Sequence, residues 1–442
     1  MRVAVIGTGH VGLITCVSMA EVGHDVAGMD ADPDKMASLA AGVMPFYEPG
    51  VGELLRSNVA AGRLRFTPDT ADAVAGADVV FICVGTPPRA SGEANLLAVE
   101  HAARAVAVVA TGPLVVAQKS TVPAGSAHRL RRTMALARPD LADGFHVVSN
   151  PEFLREGHAL EDALRPERLL VGAESVRGHE VMRQLYLPFT AAGAPLIETD
   201  IHSAELAKHA SNAFLSMKIS FANALARIAE LADADVEAIV DVMGADARIG
   251  REFLGAGLGY GGYCFPKDLV AFQHLAATLG YDFGLLREVA KINDEAVEAA
   301  VAKVREALWN LEAKRVALLG LSFKPETDDI RFSPSLVVAR RLIESGAEVI
   351  GFDPQAGESV RAEVPDLELA ADPYEAARGA HCLVLGTGWE EFRSLDWDKL
   401  AELVAFPIVV DGRNFLDPAE VTAAGFTYHA MGRPTVAPAP PG

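Results

Sequence analysis

The chain begins with an apolar run, Arg2–Ile6, that ends in Gly7-Thr8-Gly9-His10-Val11-Gly12 and passes into a helical stretch near Val11–Val22. Glycines at the first, third and sixth positions of a strand-to-helix turn form the fingerprint of a dinucleotide-binding βαβ unit. Gly7 permits the tight turn, Gly9 lets the backbone approach a pyrophosphate, and Gly12 lets the helix pack closely. His10 and Val11 stand at the helix start, where free N–H groups and the helix dipole favour an anion. Asp30 ends the next strand, where a carboxylate accepts from a ribose diol and repels a 2′-phosphate. NAD is therefore expected rather than NADP. A purely structural glycine turn is the alternative, and it leaves Asp30 without a purpose.

The segments that follow place this turn in an α/β fold. Strands are expected at Arg2–Ile6, Asp25–Met29, Val79–Val84 and Leu114–Gln118, with helices near Pro33–Ala41 and Leu96–Val109. Short strands near Val147–Ser149 and Leu169–Val171 carry this domain to residue 198. A long Ala-rich helix then runs from Ile201 to about Asp233, and a second helical stretch from Phe283 to Asn310. A second α/β unit starts at Lys314, with strands at Arg315–Gly320, Ala347–Phe352, Cys382–Leu385 and Pro407–Val410 and a helix at Pro334–Ser345. Two apolar strands that end in Gly-Thr, Val79–Thr86 and Cys382–Thr387, echo each other across the chain. The expected fold is α/β, with two Rossmann-like doubly wound domains joined by a long central helix and a small helical domain. The boundaries read as 1–198 for the NAD-binding domain, 199–310 for a helical dimerisation domain and 311–433 for a second Rossmann-like domain. A Pro/Ala-rich disordered tail is expected over 434–442.

Composition excludes several classes. Of the 442 residues, half are hydrophobic and 22% charged, the balance of a soluble globular protein. The formal net charge of -20 repels nucleic acid. No apolar run is long enough to span a membrane, and the first residues run into the glycine turn rather than a signal peptide. Four cysteines in a chain this long make no disulfide framework, so a cytoplasmic protein with reduced thiols is expected. No metal site is expected.

The cysteines differ in their surroundings. Cys16 lies on an apolar helix face, and Cys83 and Cys382 lie in buried strands, where each reads as a small hydrophobe. Cys264 follows five glycines in Gly255–Gly262 and precedes Lys267-Asp268, which open a helix. The glycines would let backbone close round a ligand. A thiol near a helix start and a lysine is the more nucleophilic for it. Ser120-Thr121 and the Asn150–Gly157 segment follow strand ends, where open α/β sheets bind ligands. Lys208 and Asn212, four apart, share a helix face, and a solvated face is the alternative for them. Helix capping is the alternative for Glu152 and Glu156. After Leu319-Gly320 the chain reads Leu321-Ser322-Phe323-Lys324 and lacks the second and third glycines. That crevice should hold a nucleotide other than a dinucleotide, with Lys324 supplying charge.

Taken together, the glycine turn, Cys83–Pro87, Ser120–Gly125, Asn150–Gly157, Glu205–Lys208 with Asn212, Tyr260–Asp268, and Leu321–Lys324 with Arg331 resemble the UDP-glucose/GDP-mannose dehydrogenase family. The likeness runs from Met1 to about Asp417. Tyr263 departs from the family pattern, which often has serine there.

The resemblance implies a four-electron oxidation in which two NAD molecules take hydrides in turn from C6 of a nucleotide sugar. It implies a thiohemiacetal and then a thioester on Cys264, with Lys208 stabilising the oxyanion and Asn212 adding a donor. Asp268 would move a proton with a water or with Lys208. Thr121 and Glu156 would position a water, with Glu152 as the alternative base. NAD contacts would include Lys35, Gly85, Thr86, Thr121, Glu156, Cys264, Lys267 and Arg331. The UDP-sugar would meet Glu152, Phe153, Leu154, Lys208, Asn212, Phe253, Leu254, Gly257, Gly261, Phe265, Phe323, Lys324 and Arg413. Arg248 would reach the site of the other subunit of a homodimer. The Arg248–Leu254 segment favours UDP-glucose over GDP-mannose, a UDP-N-acetylhexosamine or a dTDP-sugar. A two-electron 6-phosphogluconate or 3-hydroxyacid dehydrogenase needs no cysteine and has no second Rossmann unit. A non-enzymatic NAD sensor would not need Cys264, Lys208 and Asp268 together.

Overall fold

The computed structural model describes residues 1–439. The chain forms two compact units, Met1–Ser211 with Val270–Tyr281, and Asn212–Leu269 with the chain from Asp282 onward.

The first unit is built on an eight-stranded sheet. Its strands are β1 (Arg2–Ile6), β2 (Asp25–Met29), β3 (Leu64–Thr67), β4 (Val79–Ile82), β5 (Leu114–Gln118), β6 (Phe145–Ser149), β7 (Leu169–Ala173) and β8 (Leu196–Thr199). Their order is β3-β2-β1-β4-β5-β6-β7-β8, and only the β6–β7 pair is antiparallel. The central strands are mostly apolar, and β4 wholly so, because helices cover both faces. In β1, Val3 and Val5 pack into one core cluster, while Ala4 and Ile6 pack into the other. Side chains alternate across a strand, so one four-residue run feeds two cores. The chain reverses direction between β1 and β4, the switch point where ligands of open sheets bind. Gly7, Asp30, Gly85, Ser120 and Asn150 all follow carboxyl ends of strands on that edge.

The second unit repeats the plan with β9 (Arg315–Leu319), β10 (Glu348–Phe352), β11 (Glu368–Leu369), β12 (Cys382–Leu385), β13 (Ile408–Asp411) and β14 (Thr427–Ala430). The order is β11-β10-β9-β12-β13-β14, all parallel. Val297, Ala300, Val301, Val304 and Leu308 of the helix Gly284–Leu308 join its core. A smaller cluster forms where Ala222, Ala226 and Ala229 meet Val236, Val240, Leu254 and Ala256. Ala222, Ala226 and Ala229 of the long helix Ile201–Leu231 are therefore covered within the fold. The large hydrophobic side chains this helix exposes are Phe214, Phe221, Ile228 and Leu231.

Residues 434–439 do not form a wholly irregular tail. Val436 exchanges two backbone hydrogen bonds with Tyr428 and lengthens the sheet edge. Residues 440–442 lie outside the described part of the chain.

Candidate active site

Gly7 adopts φ +93°, and a Cβ there would meet the Cys83 carbonyl oxygen at 2.9 Å. At Gly12 a Cβ would sit 1.8 Å from the Gly7 carbonyl oxygen. Both positions exclude any side chain. Gly9 has open space where its Cβ would stand, as a backbone that faces a ligand requires. The helix His10–Glu21 starts with no side-chain cap and no acidic residue in its first turn. Its leading N–H groups are thus available to an anion. The Asp30 carboxylate accepts from the Thr8 backbone at 3.0 Å, the Thr8 hydroxyl at 3.1 Å and Lys35 Nζ at 2.8 Å. Burial pushes the Asp30 carboxyl up, but Lys35 and the Thr8 donors outweigh it and hold it below the usual range. The residues present thus fit a dinucleotide with an unphosphorylated 2′ position. Lys35 is placed on Asp30 itself.

The loops beyond β4 and β5 are tied together. The Thr86 hydroxyl donates to the Thr121 carbonyl at 3.0 Å, and Ser120 Oγ donates to the Val84 carbonyl at 2.6 Å. Gly85 faces open space. Beyond β6, Glu152 Oε1 lies 3.2 Å from Lys208 Nζ, with both side chains buried. The Glu152 carboxylate also accepts from Leu154 N. Phe153 lies beneath two cations, with Arg168 at 3.9 Å and Lys208 at 5.3 Å from its ring centre.

Two carboxylates with no assigned role in the sequence reading organise this region. Glu205 sits in the same motif as Lys208 and accepts from Gly125 N at 2.6 Å and Ala127 N at 2.8 Å. It thereby anchors the Ser120–Gly125 loop. Burial pushes its carboxyl up to about 7 despite those bonds. Glu48 is buried and accepts from His10 Nε2, Gly157 N and Ala159 N, each at 2.8 Å. Burial alone would lower the His10 value. The Glu48 hydrogen bond and the charges of Glu156, Glu48 and Glu152 outweigh it and raise it. Tyr47-Glu48-Pro49-Gly50 reads as an ordinary turn, so no spacing marks Glu48 in advance.

In the second unit Cys264 is the first residue of the helix Cys264–Thr278. The helix was expected to open at Lys267. It starts three residues earlier because Pro266 falls in the first turn, where a missing N–H costs nothing. Cys264 is partly exposed. Cys16, Cys83 and Cys382 are buried, and burial pushes the Cys83 and Cys382 thiols up to about 12. Asp268 receives Asn212 Nδ2 at 2.6 Å on one oxygen and Lys267 Nζ at 2.6 Å on the other. The Tyr263 ring lies 4.5 Å from the Arg331 guanidinium and 5.6 Å from Lys267 Nζ. Phe265 packs between Phe253 and Tyr260.

The glycines before Cys264 pack closely against their own unit. A Cβ at Gly257 would meet Gly412 O at 2.6 Å, and one at Gly259 would meet Asn293 Oδ1 at 2.5 Å. At Gly261 the neighbour is Phe332 O, and at Gly262 it is the Phe323 ring. These four are small so that the loop can pack against its own unit, and Gly255 alone faces open space. Arg413 holds the same loop. It donates from Nε to Gly386 O at 2.7 Å, from Nη1 to Gly259 O at 3.0 Å and from Nη2 to Phe323 O at 3.3 Å. Burial lowers its value to about 10. Lys324 lies 5.4 Å from the Phe323 ring centre. Phe253 and Phe332 have left-handed backbone, an outlier for a bulky residue, and Asn414 adopts it as asparagine readily does. Leu254 is buried under the loop. Arg248 is exposed and paired with Asp246 at 2.6 Å.

The second sheet repeats the first turn with a different end. Gly320 has φ +91°, and its N–H meets Phe352 O as the Gly7 N–H meets Met29 O. Asp353 holds the place of Asp30. It accepts from Leu321 N, Ser322 N, Ser322 Oγ and Trp389 Nε1, all on one oxygen. Its other oxygen accepts from Gln355 N and Ala356 N, so both oxygens are engaged by its own chain. The Thr8 and Lys35 donors all fall on one oxygen of Asp30, which leaves Asp353 the poorer partner for a ribose. Among the described residues no cluster of His, Cys, Asp or Glu fits a metal, and no helix is long and apolar enough to cross a membrane.

Comparison with known proteins places the chain. Three models of the UDP-glucose/GDP-mannose dehydrogenase family match it: the NAD binding domain over 1–190, the central domain over 202–295 and the UDP binding domain over 317–418. A UDP-glucose 6-dehydrogenase of Rhizobium meliloti is 44% identical, covering 98% of this chain and 100% of the relative. The solved UDP-glucose dehydrogenase of Pyrobaculum islandicum superposes with TM-score 0.91 at 38% identity over 98% of each chain. A UDP-D-ManNAc dehydrogenase of Pyrococcus horikoshii superposes with TM-score 0.86 at 28% identity, covering 98% of this chain and 99% of that one. The chain belongs to the UDP-glucose/GDP-mannose dehydrogenase family.

Proposed function

We propose that this protein oxidises the C6 primary alcohol of UDP-glucose to the carboxylate of UDP-glucuronate, by way of a thioester on Cys264. The observation that carries the reading is a partly exposed thiol on the first residue of a helix, in a chain whose other three cysteines are buried. Full-length likeness to UDP-glucose 6-dehydrogenases supports the substrate. NAD, when held at the glycine turn, would supply the hydride acceptor for each of two successive oxidations.

The residues divide the remaining work. The first oxidation requires a base for the C6 hydroxyl proton and leaves an aldehyde. An aldehyde must gain a heteroatom before it can lose another hydride. The Cys264 thiolate adds to the carbonyl carbon, the C–S bond forms, and the carbonyl electron pair moves to oxygen. Lys208 stabilises that oxyanion as a fixed buried cation, and Asn212 adds a donor. Loss of the second hydride restores the C=O bond and gives the thioester. Water then adds, the C–S bond breaks, and the thiolate and carboxylate separate. Asp268, held by Asn212 and Lys267, serves in proton transfer with a water or with Lys208. Thr121 and Glu156 position the water, with Glu152 as the alternative base.

NAD contacts fall to the turn at Gly7, Gly9, His10, Val11 and Gly12, to Asp30 and Lys35, to Gly85 and Thr86, and to Lys267 and Arg331. The nucleotide and sugar fall to Phe153, Leu154, Phe253, Leu254, Gly257, Gly261, Phe265, Phe323, Lys324 and Arg413. The protein works as a homodimer. Phe214, Phe221 and Ile228 are 57%, 53% and 60% exposed and seven residues apart, so they share one helix face. The exposed Arg248 extends from its loop toward the site of the neighbouring subunit. The proposal includes a cytoplasmic location, which the four free thiols support.

Likeness to a UDP-D-ManNAc dehydrogenase supports a second reading, a UDP-N-acetylhexosamine substrate, and Tyr263 beside the nucleophile gives it a place to act. A panel of UDP-glucose, UDP-N-acetylmannosamine and GDP-mannose, read by NADH formation, separates the two. The account expects kcat/KM for UDP-glucose to exceed the others at least tenfold. A preference for UDP-N-acetylmannosamine would overturn the first reading.

A further inference from the structure

Glu48 lies outside every motif that carries the chemistry, yet its buried carboxylate joins two segments that do. One oxygen accepts from His10 Nε2 and Gly157 N, and the other accepts from Ala159 N. His10 opens the helix of the glycine turn. The Gly157 N–H belongs to the peptide that follows Glu156, and Gly157 has φ +80°. The loop between Glu152 and Gly157 is thus held at both ends, by the Lys208–Glu152 pair and by Glu48. Buried carboxylates are retained only where hydrogen bonds replace the lost water, and all three partners here are N–H groups of functional segments.

We propose that Glu48 is a positioning residue that locks the dinucleotide turn to the Glu152–Glu156 loop through His10, so that grip on NAD and the geometry of that loop rise and fall together. Removing the charge frees the imidazole and both backbone N–H groups at once. A glutamine cannot replace it, because its amide NH2 would face donors at one of the two oxygen positions. His10 adds a second consequence. The charged groups that bear on it are Glu48, Glu152 and Glu156, all carboxylates, and Phe46 stacks on its ring at 4.8 Å. An imidazolium at the helix start favours the pyrophosphate, so NADH should bind more weakly as pH rises through the raised His10 value.

The inference rests on the NAD-dependent reading above, and direct NADH binding separates the two. Fluorescence titration of the full chain needs no substrate. If the wild-type chain does not bind NADH, the functional reading fails. If it binds and the variants bind equally, only this inference fails. Glu48→Gln is expected to bind NADH at least fivefold more weakly and to lose at least tenfold in kcat. His10→Gln should bind NADH more weakly below pH 7 and lose the pH dependence. The double variant should bind no more weakly than Glu48→Gln alone. Wild-type NADH affinity in Glu48→Gln, or losses that multiply in the double variant, would overturn the proposal. If Glu48→Gln fails to fold, His10→Gln carries the test, and an unchanged pH profile in it overturns the proposal.

Discussion

Lys208 shows how stability and chemistry are bound up in one side chain. Its ammonium and the Glu152 carboxylate are buried 3.2 Å apart. Removing one partner of such a pair leaves an uncompensated buried charge and costs about 3–5 kcal/mol. Replacing both by neutral groups of similar shape is close to neutral. Lys208→Ala should therefore lower the melting temperature, whereas Lys208→Met with Glu152→Gln should restore it and leave activity below about 1% of wild type. Calorimetry beside an NADH assay checks this. Recovery of activity with stability would show that Lys208 acts only as a structural ion. At this scale the sequence was unevenly legible. Cys264, Lys208 and Asp268 stand in motifs whose chemistry needs those residue types. Glu48 and Gly157 are 109 residues apart and meet only through the fold. Arg413, expected among the UDP-sugar contacts, also donates to three backbone carbonyls of its own unit, a role that no spacing in the sequence foretells.

Secondary-structure elements were read best where they are buried on both faces. The expected strand Leu114–Gln118 matches β5 end to end, because an all-apolar run between turns has few other uses. The two-residue β11 and the half-exposed β3 and β8 carry too little pattern to be seen. The long helix was foreseen within two residues of its end, whereas which faces it buries and exposes is settled only by the fold. Ala204, Ala213, Ala222, Ala226 and Ala229 are buried within the fold, and the large hydrophobic side chains the helix exposes are Phe214, Phe221, Ile228 and Leu231. Burial of a side chain such as Phe221 stabilises by about 2 kcal/mol, and a two-fold interface counts each residue twice. Light scattering should give a dimer for wild type, and Phe221→Glu should give a monomer with little activity. A fully active wild-type monomer would remove this interface.

The molecule carries the same βαβ turn twice and has specialised each copy. Gly7 and Gly320 share their left-handed backbone and their hydrogen bond to the neighbouring strand end. Gly9 and Gly12 follow the first and have no counterpart after the second, where Leu321 and Ser322 bond to Asp353 instead. One copy is thus left open for a dinucleotide, while the other has closed its ribose position with its own backbone. The difference was readable from the glycines alone, whereas the role of Trp389 on Asp353 needed the fold. With one dinucleotide turn per chain, a four-electron oxidation requires two NAD molecules in succession, and the substrate must stay in place between them. A covalent link through Cys264 would retain it.

The most direct measurement counts NADH formed per UDP-glucose consumed and follows it with the intact mass of the protein. The account predicts two NADH per sugar for wild type. It predicts a sugar adduct trapped on Cys264→Ser, whose ester hydrolyses slowly, and almost no UDP-glucuronate from Cys264→Ala. One NADH per sugar, or UDP-glucuronate from Cys264→Ala at the wild-type rate, would contradict it.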